Sequence, residues 1–261
     1  MSVAKTALQL WTVRDLAMQD YAGTLAEVAK IGFNAVEQVH GFGYGGRSAG
    51  EVKILMSDLG LETAATHIEL KAWEADAERI LDFYDELGVR YLVVSWLEPE
   101  RRESKDAYLN VIESLKPVAA ACEQRGKQLV YHHHDFEFVK YDGRTALELL
   151  CQSVGEEKLF VEADVHWVYR GGADPATFIK SLGKRCPLVH LKDFHPAGTG
   201  ITDHEDVRAY TELGTGILDI PSIIEAAKFA DWLIVEQDFC KIPPLESAKL
   251  SLDYLRESAG R

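Results

Sequence analysis

Polar and apolar positions along the chain follow two alternating rhythms. Helical periodicity, with apolar residues three or four apart, runs near residues 20–31, 48–59, 74–87, 104–125, 144–153, 174–183, 220–229 and 245–257. Between these stretches lie short runs rich in β-branched and aromatic residues. Four helix-to-strand junctions, KIGFNAVEQV, DLGLETAATHI, ELGVRYLVVSW and QRGKQLVYHHH, share a glycine, at Gly32, Gly60, Gly88 and Gly126. A glycine just past a helix supplies the left-handed conformation that ends it before the chain turns into a strand.

The strand candidates are Ala7–Trp11, Ala35–Val39, Thr63–Ile68, Arg90–Trp96, Gln128–His133, Leu159–Asp164, Leu188–Lys192 and Trp232–Glu236. Strict alternation of strand and helix implies parallel strands joined by crossover helices. Eight such units predict an α/β fold, a (β/α)8 TIM barrel forming a single domain over residues 1–261. A chain of 261 residues suits that architecture, which typically takes about 250. With 47% hydrophobic and 27% charged residues, the chain can build a full core and has no composition of disorder. The segment Phe194–Leu218, rich in Gly and Pro, is expected to form a loop over one face.

Charge and cysteine use narrow the partners. A net charge of -14 argues against nucleic acid, whose phosphates need a Lys/Arg-rich face. Cys122, Cys151, Cys186 and Cys240 form no C-x-x-C pair, so neither a disulfide framework nor a structural zinc site is expected. The opening MSVAKTALQLWTVRD has no apolar stretch of signal-peptide length. No run approaches the roughly 20 apolar residues of a membrane span. A cytoplasmic protein with reduced thiols is expected, with no membrane partner and with a homodimer as an option common among barrels.

Polar chemistry gathers where the strands end, the face on which barrels of this kind carry active sites. The strand ends read QLWTVRD, VEQVH, ATHIE, SWLE, YHHHDFEF, VEADVHW, VHLKDFH and VEQDF, while the strand starts are mostly apolar. Of the 9 histidines, His67, His132, His133, His134, His166 and His190 lie in or just past strand ends, with His40 and His195 close behind. Residues two apart on a strand share a side. His132 therefore sits with His134, Glu162 with Asp164, His190 with Lys192, and Glu236 with Asp238; His133 must face the other way, under a helix. Buried carboxylates without a cation are very costly, and a divalent ion removes that cost. Imidazoles plus carboxylates make a mixed N/O site, suited to Mn, Co, Fe, Ni or Zn and too nitrogen-rich for calcium alone.

At YHHHDFEF, EADVHWVYRGGADP, VHLKDFHP, ELGTGILD and IVEQD the chain resembles the xylose-isomerase-like sugar phosphate isomerase/epimerase superfamily. It is most similar to the branch with a YHNHDFEF signature, which includes relatives of inosose dehydratase and enzymes acting on 3-keto sugars and glycosides. His133 stands for the usual Asn, and Trp11 where Tyr is common. The resemblance implies one divalent metal, Mn2+ first and Co2+, Mg2+, Fe2+, Ni2+ or Zn2+ as alternatives. It implies ligands His132, Asp164, His190 and Glu236, one from each of strands five to eight. Better-known epimerases carry Glu at the strand-five position, so His134, Glu137 or Glu162 can stand in for His132.

A metal there polarises a substrate carbonyl and acidifies the neighbouring C–H, and a general base or acid must lie within hydrogen-bond reach. Glu137 is the first candidate for that role, followed by Lys192, Glu162 and His67. Trp11, Trp96 and Trp167 offer an apolar wall for a sugar ring, and His134 and Asp238 complete the expected substrate contacts. The first functional reading is a metal-dependent isomerase or epimerase of a sugar or keto-sugar acting through an enediolate. The alternative is a lyase that cleaves a 3-keto-glycoside or dehydrates an inosose by the same enolisation. A metal-free sugar binder is a third, weaker reading, because every strand-end ionisable group is present. AP endonuclease chemistry, found in the same superfamily, is disfavoured by the acidic charge. GTGILD is not read as a phosphate cradle; its Asp219 suits a helix start.

Overall fold

The computed structural model describes residues 4–195 and 209–259, and within them the eight expected strands close into a parallel barrel. They are β1 Lys5–Gln9, β2 Ala35–Val39, β3 Glu62–Ile68, β4 Tyr91–Val94, β5 Gln128–His132, β6 Leu159–Asp164, β7 Leu188–Leu191 and β8 Trp232–Val235. Each strand pairs with the next, and β8 closes on β1 in the register Lys5↔Trp232 to Leu8↔Val235. The crossover helices are α1 Tyr21–Ile31, α2 Ala49–Asp58, α3 Leu70–Leu87, α4 Lys105–Gln124, α5 Ala146–Val154, α6 Pro175–Leu182, α7 Ile220–Ala226 and α8 Pro244–Ala259.

Local chemistry sets where these helices begin. Ser48 with Glu51 and Thr145 with Glu148 form reciprocal capping boxes at α2 and α5, satisfying N–H groups that have no partner within the helix. Asp20, Ser104, Asp174 and Asp219 cap α1, α4, α6 and α7, so Asp219 is the helix start its sequence suggests. Gly88 at the end of α3 has φ 82, the left-handed backbone its position implied.

Most strand boundaries match the sequence expectation to within one residue, but two strands end two residues short of it, and both matter to the barrel mouth. β1 runs Lys5–Gln9 instead of reaching Trp11, because the Gln9 side chain accepts the Trp11 N–H at 3.1 Å and turns the chain into the 3-10 segment Leu10–Val13. β4 ends at Val94, which leaves Trp96 beyond the strand. Short helices at Arg14–Gln19 and Val165–Arg170 also follow strand ends; at six residues each they are too short to announce themselves by periodicity.

The barrel interior is filled by Ala7, Ala35, Ala64, Ala65, Tyr91, Val93, Val130, Leu188, Trp232 and Ile234. Small residues on β1 to β3 make room for the Tyr91 and Trp232 rings, the large-against-small packing that a tapered interior requires. A register shift between Val36 and Glu37 where β2 meets β3 fits both Ala64 and Ala65 into this layer. A larger apolar layer, including Leu8, Val36, Leu92, Leu129 and Val161, joins the outer strand faces to the helices.

Past β7, Asp193–Phe194 pairs antiparallel with Tyr210–Thr211. Residues 196–208 of the expected loop lie outside the described residues. Asp193 turns away from the barrel axis and accepts the N–H groups of Gly214, Gly216 and Leu218 at 3.0, 2.9 and 3.2 Å. The glycine-rich GTGILD segment thus wraps an internal carboxylate, which accounts for its glycines without any phosphate.

A Cβ at Gly216 would lie 2.0 Å from Asp193 Oδ1 and 2.6 Å from the Phe194 backbone N. Gly216→Ala is therefore expected to destabilise the protein by about 1–3 kcal/mol, the usual range for overpacking. That corresponds to roughly 2–4 °C of melting temperature per kcal/mol in a domain of this size. An unchanged melting curve would show that the clamp yields without strain.

Candidate metal centre

Strand alternation places eight polar side chains on the inner face near the C-terminal ends: Gln9 and Glu37 from β1 and β2, His67 from β3, His132 from β5, Glu162 and Asp164 from β6, His190 from β7, and Glu236 just past β8. All are buried. One ligand atom from each of His132, Asp164, His190 and Glu236 falls within a common span of 4.8 Å. The structure thus brings together the four residues that the family resemblance implied as ligands. His67, His132, Glu162 and His190 meet the same criterion just below.

Lys192 complicates the upper group. Its Nζ lies 3.0 Å from Asp164 Oδ2, 2.9 Å from Glu236 Oε2 and 2.6 Å from Asp238 Oδ2. Asp193, next to Lys192 in the chain, is committed instead to the loop clamp. Burial works against the Lys192 charge, but these three carboxylates outweigh it and hold the ammonium well above its ordinary value. Burial raises Asp164 to about 6 in spite of Lys192. Glu236 is held well below the usual carboxylate range, since Lys192 and His190 overcome its burial.

The lower tier is built around two carboxylate oxygens. Glu162 Oε2 lies 2.8 Å from His67 Nε2, 3.0 Å from His132 Nδ1 and 3.1 Å from His190 Nε2. Glu37 Oε2 accepts from Gln9 Nε2 at 2.7 Å and meets His190 Nε2 at 2.6 Å. Burial and the neighbouring Glu162 charge raise Glu37 to about 7. Glu162, facing three imidazoles, overcomes its own burial and keeps its charge. His132 is lowered to about 3 by burial, so its ring is neutral and able to donate a lone pair. His67 is raised despite burial by the Glu37 and Glu162 charges.

The residues present fit a divalent cation. Asp164 uses Oδ1 to cap the short helix through the His166 and Trp167 N–H groups, leaving Oδ2 toward Lys192 and His190. Glu37 Oε1 and Glu162 Oε1 are buried without a hydrogen bond, and Asp164 Oδ2 lies 3.0 Å from the Lys192 ammonium. Buried carboxylate oxygens beside a neutral imidazole are what a hard or borderline cation requires.

The other expected site residues divide into two groups. His134 sits 5.0 Å from His132, 5.1 Å from Trp96 and 5.2 Å from Trp167 between ring centroids, so three expected substrate contacts share one wall beside the metal ligands. Asp238 joins them through Lys192. Trp11 belongs to a separate platform, stacked on Phe42 and lying under the Arg14 guanidinium; it is 41% exposed, against 39% for Trp96. His133 faces outward between Phe138 and Phe178, as its odd register required.

Glu137 is not brought to the cluster. Its Oε1 accepts from the Tyr131 hydroxyl and its Oε2 from the His134 N–H, both at 2.7 Å. Tyr131 precedes His132 and so points to the opposite side of β5. Through these two bonds Glu137 braces the loop after β5. Glu37 and Gln9 were not singled out by the sequence reading. VEQV carries polar residues on both faces, and Gln38 points outward to Tyr21, so periodicity could not say which face is inside.

Comparison with known proteins agrees with this arrangement. Residues 25–258 match the family described as Xylose isomerase-like TIM barrel. The chain belongs to that family. Inosose dehydratase of Clostridium beijerinckii is 22% identical over 290 residues, covering 96% of this chain and 95% of the relative. Its namesake from Geobacillus kaustophilus is 24% identical, covering 88% and 85%. Among solved structures, a sugar phosphate isomerase/epimerase from Parabacteroides distasonis superposes with a TM-score of 0.74 at 21% identity, covering 98% of this chain and 94% of that one. The IolI protein, solved with a zinc atom, superposes with a TM-score of 0.72 at 14% identity, covering 97% of each chain. This xylose isomerase-like barrel therefore sits among sugar-modifying enzymes and carries a His/Asp/Glu cluster able to hold a metal. No helix among its described residues is long and apolar enough to cross a membrane.

Burial raises the Glu137 carboxyl to about 7, whereas in an unfolded chain it titrates near 4.3. Between those values the folded state binds the extra proton, so stability from this group is greatest at low pH and declines as pH rises toward 7. Replacing Glu137 by Gln should remove that decline, about 1.4 kcal/mol for each pH unit crossed. Denaturant titrations of chelator-treated wild type and variant from pH 5 to 7.5 measure it; parallel curves would exclude Glu137 as the source.

Proposed function

We propose that this barrel is a divalent-metal-dependent enzyme that removes the proton next to the carbonyl of a keto-sugar or keto-polyol, then expels a β-hydroxyl or β-alkoxyl group. The observation that carries this reading is the placement of two proton-handling groups across the candidate ligand set. His67 is on β3 and Lys192 follows β7, so they come from opposite sides of an eight-stranded barrel. The His67 and His190 rings stack at 5.3 Å, while Lys192 Nζ reaches two of the four candidate ligands.

A divalent cation held by His132, Asp164, His190 and Glu236, Mn2+ by preference, would supply Lewis acidity to the substrate carbonyl. The chain's own residues do the rest. The His67–Glu162 pair accepts the proton from carbon, with Glu162 orienting the ring. Lys192, charged and buried, hands a proton to the departing oxygen, and the C–O bond breaks as the C=C bond forms. Asp238 keeps Lys192 directed toward the mouth. The wall of Trp96, His134 and Trp167 bears on the sugar-like ring and excludes water.

Two considerations place elimination first. The strand-five ligand position holds a neutral imidazole where better-known epimerases have Glu. Relatives that align along nearly the whole chain are named inosose dehydratases. Isomerisation or epimerisation is the second reading, favoured by the same opposed pair, since a proton taken at His67 can be matched by one delivered from the far side.

Incubating Mn2+-loaded protein with keto-sugars and inososes in deuterated water, followed by NMR, separates these outcomes. Elimination predicts loss of water or alcohol and a new vinylic signal, abolished by chelator. Lys192→Met should reduce turnover about 10²–10⁴-fold, the scale of a lost general acid. Deuterium uptake with no unsaturated product would assign an isomerase or epimerase instead. Turnover indifferent to chelator would overturn the metal-dependent reading altogether.

A further inference from the structure

The two nitrogens of His190 face different surroundings. Nδ1 is directed at the upper group, 2.7 Å from Glu236 Oε2 and 3.9 Å from Asp164 Oδ2. Nε2 is directed at the floor, 2.6 Å from Glu37 Oε2 and 3.1 Å from Glu162 Oε2. A metal-binding imidazole must offer a bare lone pair at one nitrogen, and the group receiving the other N–H decides which one. Both nitrogens face carboxylate oxygens, but Glu236 and Asp164 on the upper side are themselves candidate ligands, whereas the floor carboxylates remain to receive an N–H, and Glu37 is the nearer. Glu37 is itself held by Gln9, whose Nε2 donates to it at 2.7 Å. Gln9 Oε1 in turn accepts the Trp11 N–H at 3.1 Å. A continuous chain of hydrogen bonds therefore runs from the turn carrying Trp11, through Gln9 and Glu37, to one candidate ligand.

We infer that Glu37 is a positioning residue for the metal centre: it holds the proton of His190 on Nε2 and so commits Nδ1 to the metal. The inference rests on the metal site of the proposed function. Glu162 does the equivalent for His132, whose Nδ1 it meets at 3.0 Å, leaving Nε2 toward the upper group. The lower tier is thus a carboxylate floor for the ligands.

Glu37→Met removes the acceptor at similar volume, and Glu37→Gln retains one acceptor oxygen without the charge. Zinc serves as the probe because it is diamagnetic. Zinc affinity is measured by competition with a chromophoric chelator, and zinc stoichiometry by elemental analysis. The nitrogen carrying the His190 proton is read by NMR of zinc-loaded protein with histidine ring nitrogens isotope-labelled. The wild type is expected to bind one zinc at this centre with the proton on Nε2. Glu37→Met should weaken zinc binding about 10–100-fold, the scale of a lost outer-shell partner, and Glu37→Gln should recover much of it. Equal affinities in the three proteins, or zinc on Nε2, would overturn the assignment. So would two zinc equivalents with one lost in both variants, which would make Glu37 a direct ligand. A wild type that binds no zinc and no manganese would instead fail the metal site itself, and this inference with it.

Discussion

Glu37, Glu162, Asp164 and Glu236 are all buried on the inner face of one barrel mouth. Removing a carboxylate from water carries a penalty of several kcal/mol even after relaxation. The arrangement of the mouth follows from how that penalty is offset. Three imidazoles surround Glu162, one imidazole bridges Glu37 and Glu236, and one ammonium is shared by Asp164, Glu236 and Asp238. The charges differ in consequence. Glu162 and Glu236 remain ionised, while Glu37 rises to about 7 because its burial and the Glu162 charge outweigh the imidazoles beside it.

The surrounding fold serves this compensation. Alanines at positions 7, 35, 64 and 65 keep the interior on the β1–β3 side narrow enough for β3 and β7 to bring His67 and His190 into stacking contact. Glu137 ties the Tyr131 hydroxyl to the His134 backbone, which fixes the end of β5 where His132 and His134 emerge. Asp193 gathers the segment before α7 onto the end of β7.

Lys192 and a divalent cation draw on the same carboxylates. In the protein as described, the ammonium satisfies Asp164 and Glu236 while Asp238 provides its third contact. Asp238 is the most exposed of the three, so it is the partner that can keep Lys192 when the other two turn to a metal. On the proposed reading, the lysine would neutralise the set without a cation and stand beside the substrate with one.

Much of the architecture was legible in the chain alone, because the signals behind it are local. Alternation of strand and helix, capping residues such as Ser48 and Asp219, and left-handed glycines such as Gly88 depend on neighbours within one or two turns. Strand parity likewise put His132 with His134, Glu162 with Asp164, His190 with Lys192 and Glu236 with Asp238, and turned His133 away. Parity failed where both faces of a strand carried polar residues, which is why Glu37 stood unmarked beside Gln38. Parity does not reach Glu137, which lies in the loop after β5; its place just beyond the strand-five position suggested a base, and in the structure the Tyr131 hydroxyl and the His134 N–H bond its carboxylate. Which oxygen meets which nitrogen, and which buried acid keeps its charge, were decided only when barrel closure brought strands far apart in the chain to within hydrogen-bond distance. Electrostatic compensation in a desolvated site depends on distances between those strands, and no local pattern carries them.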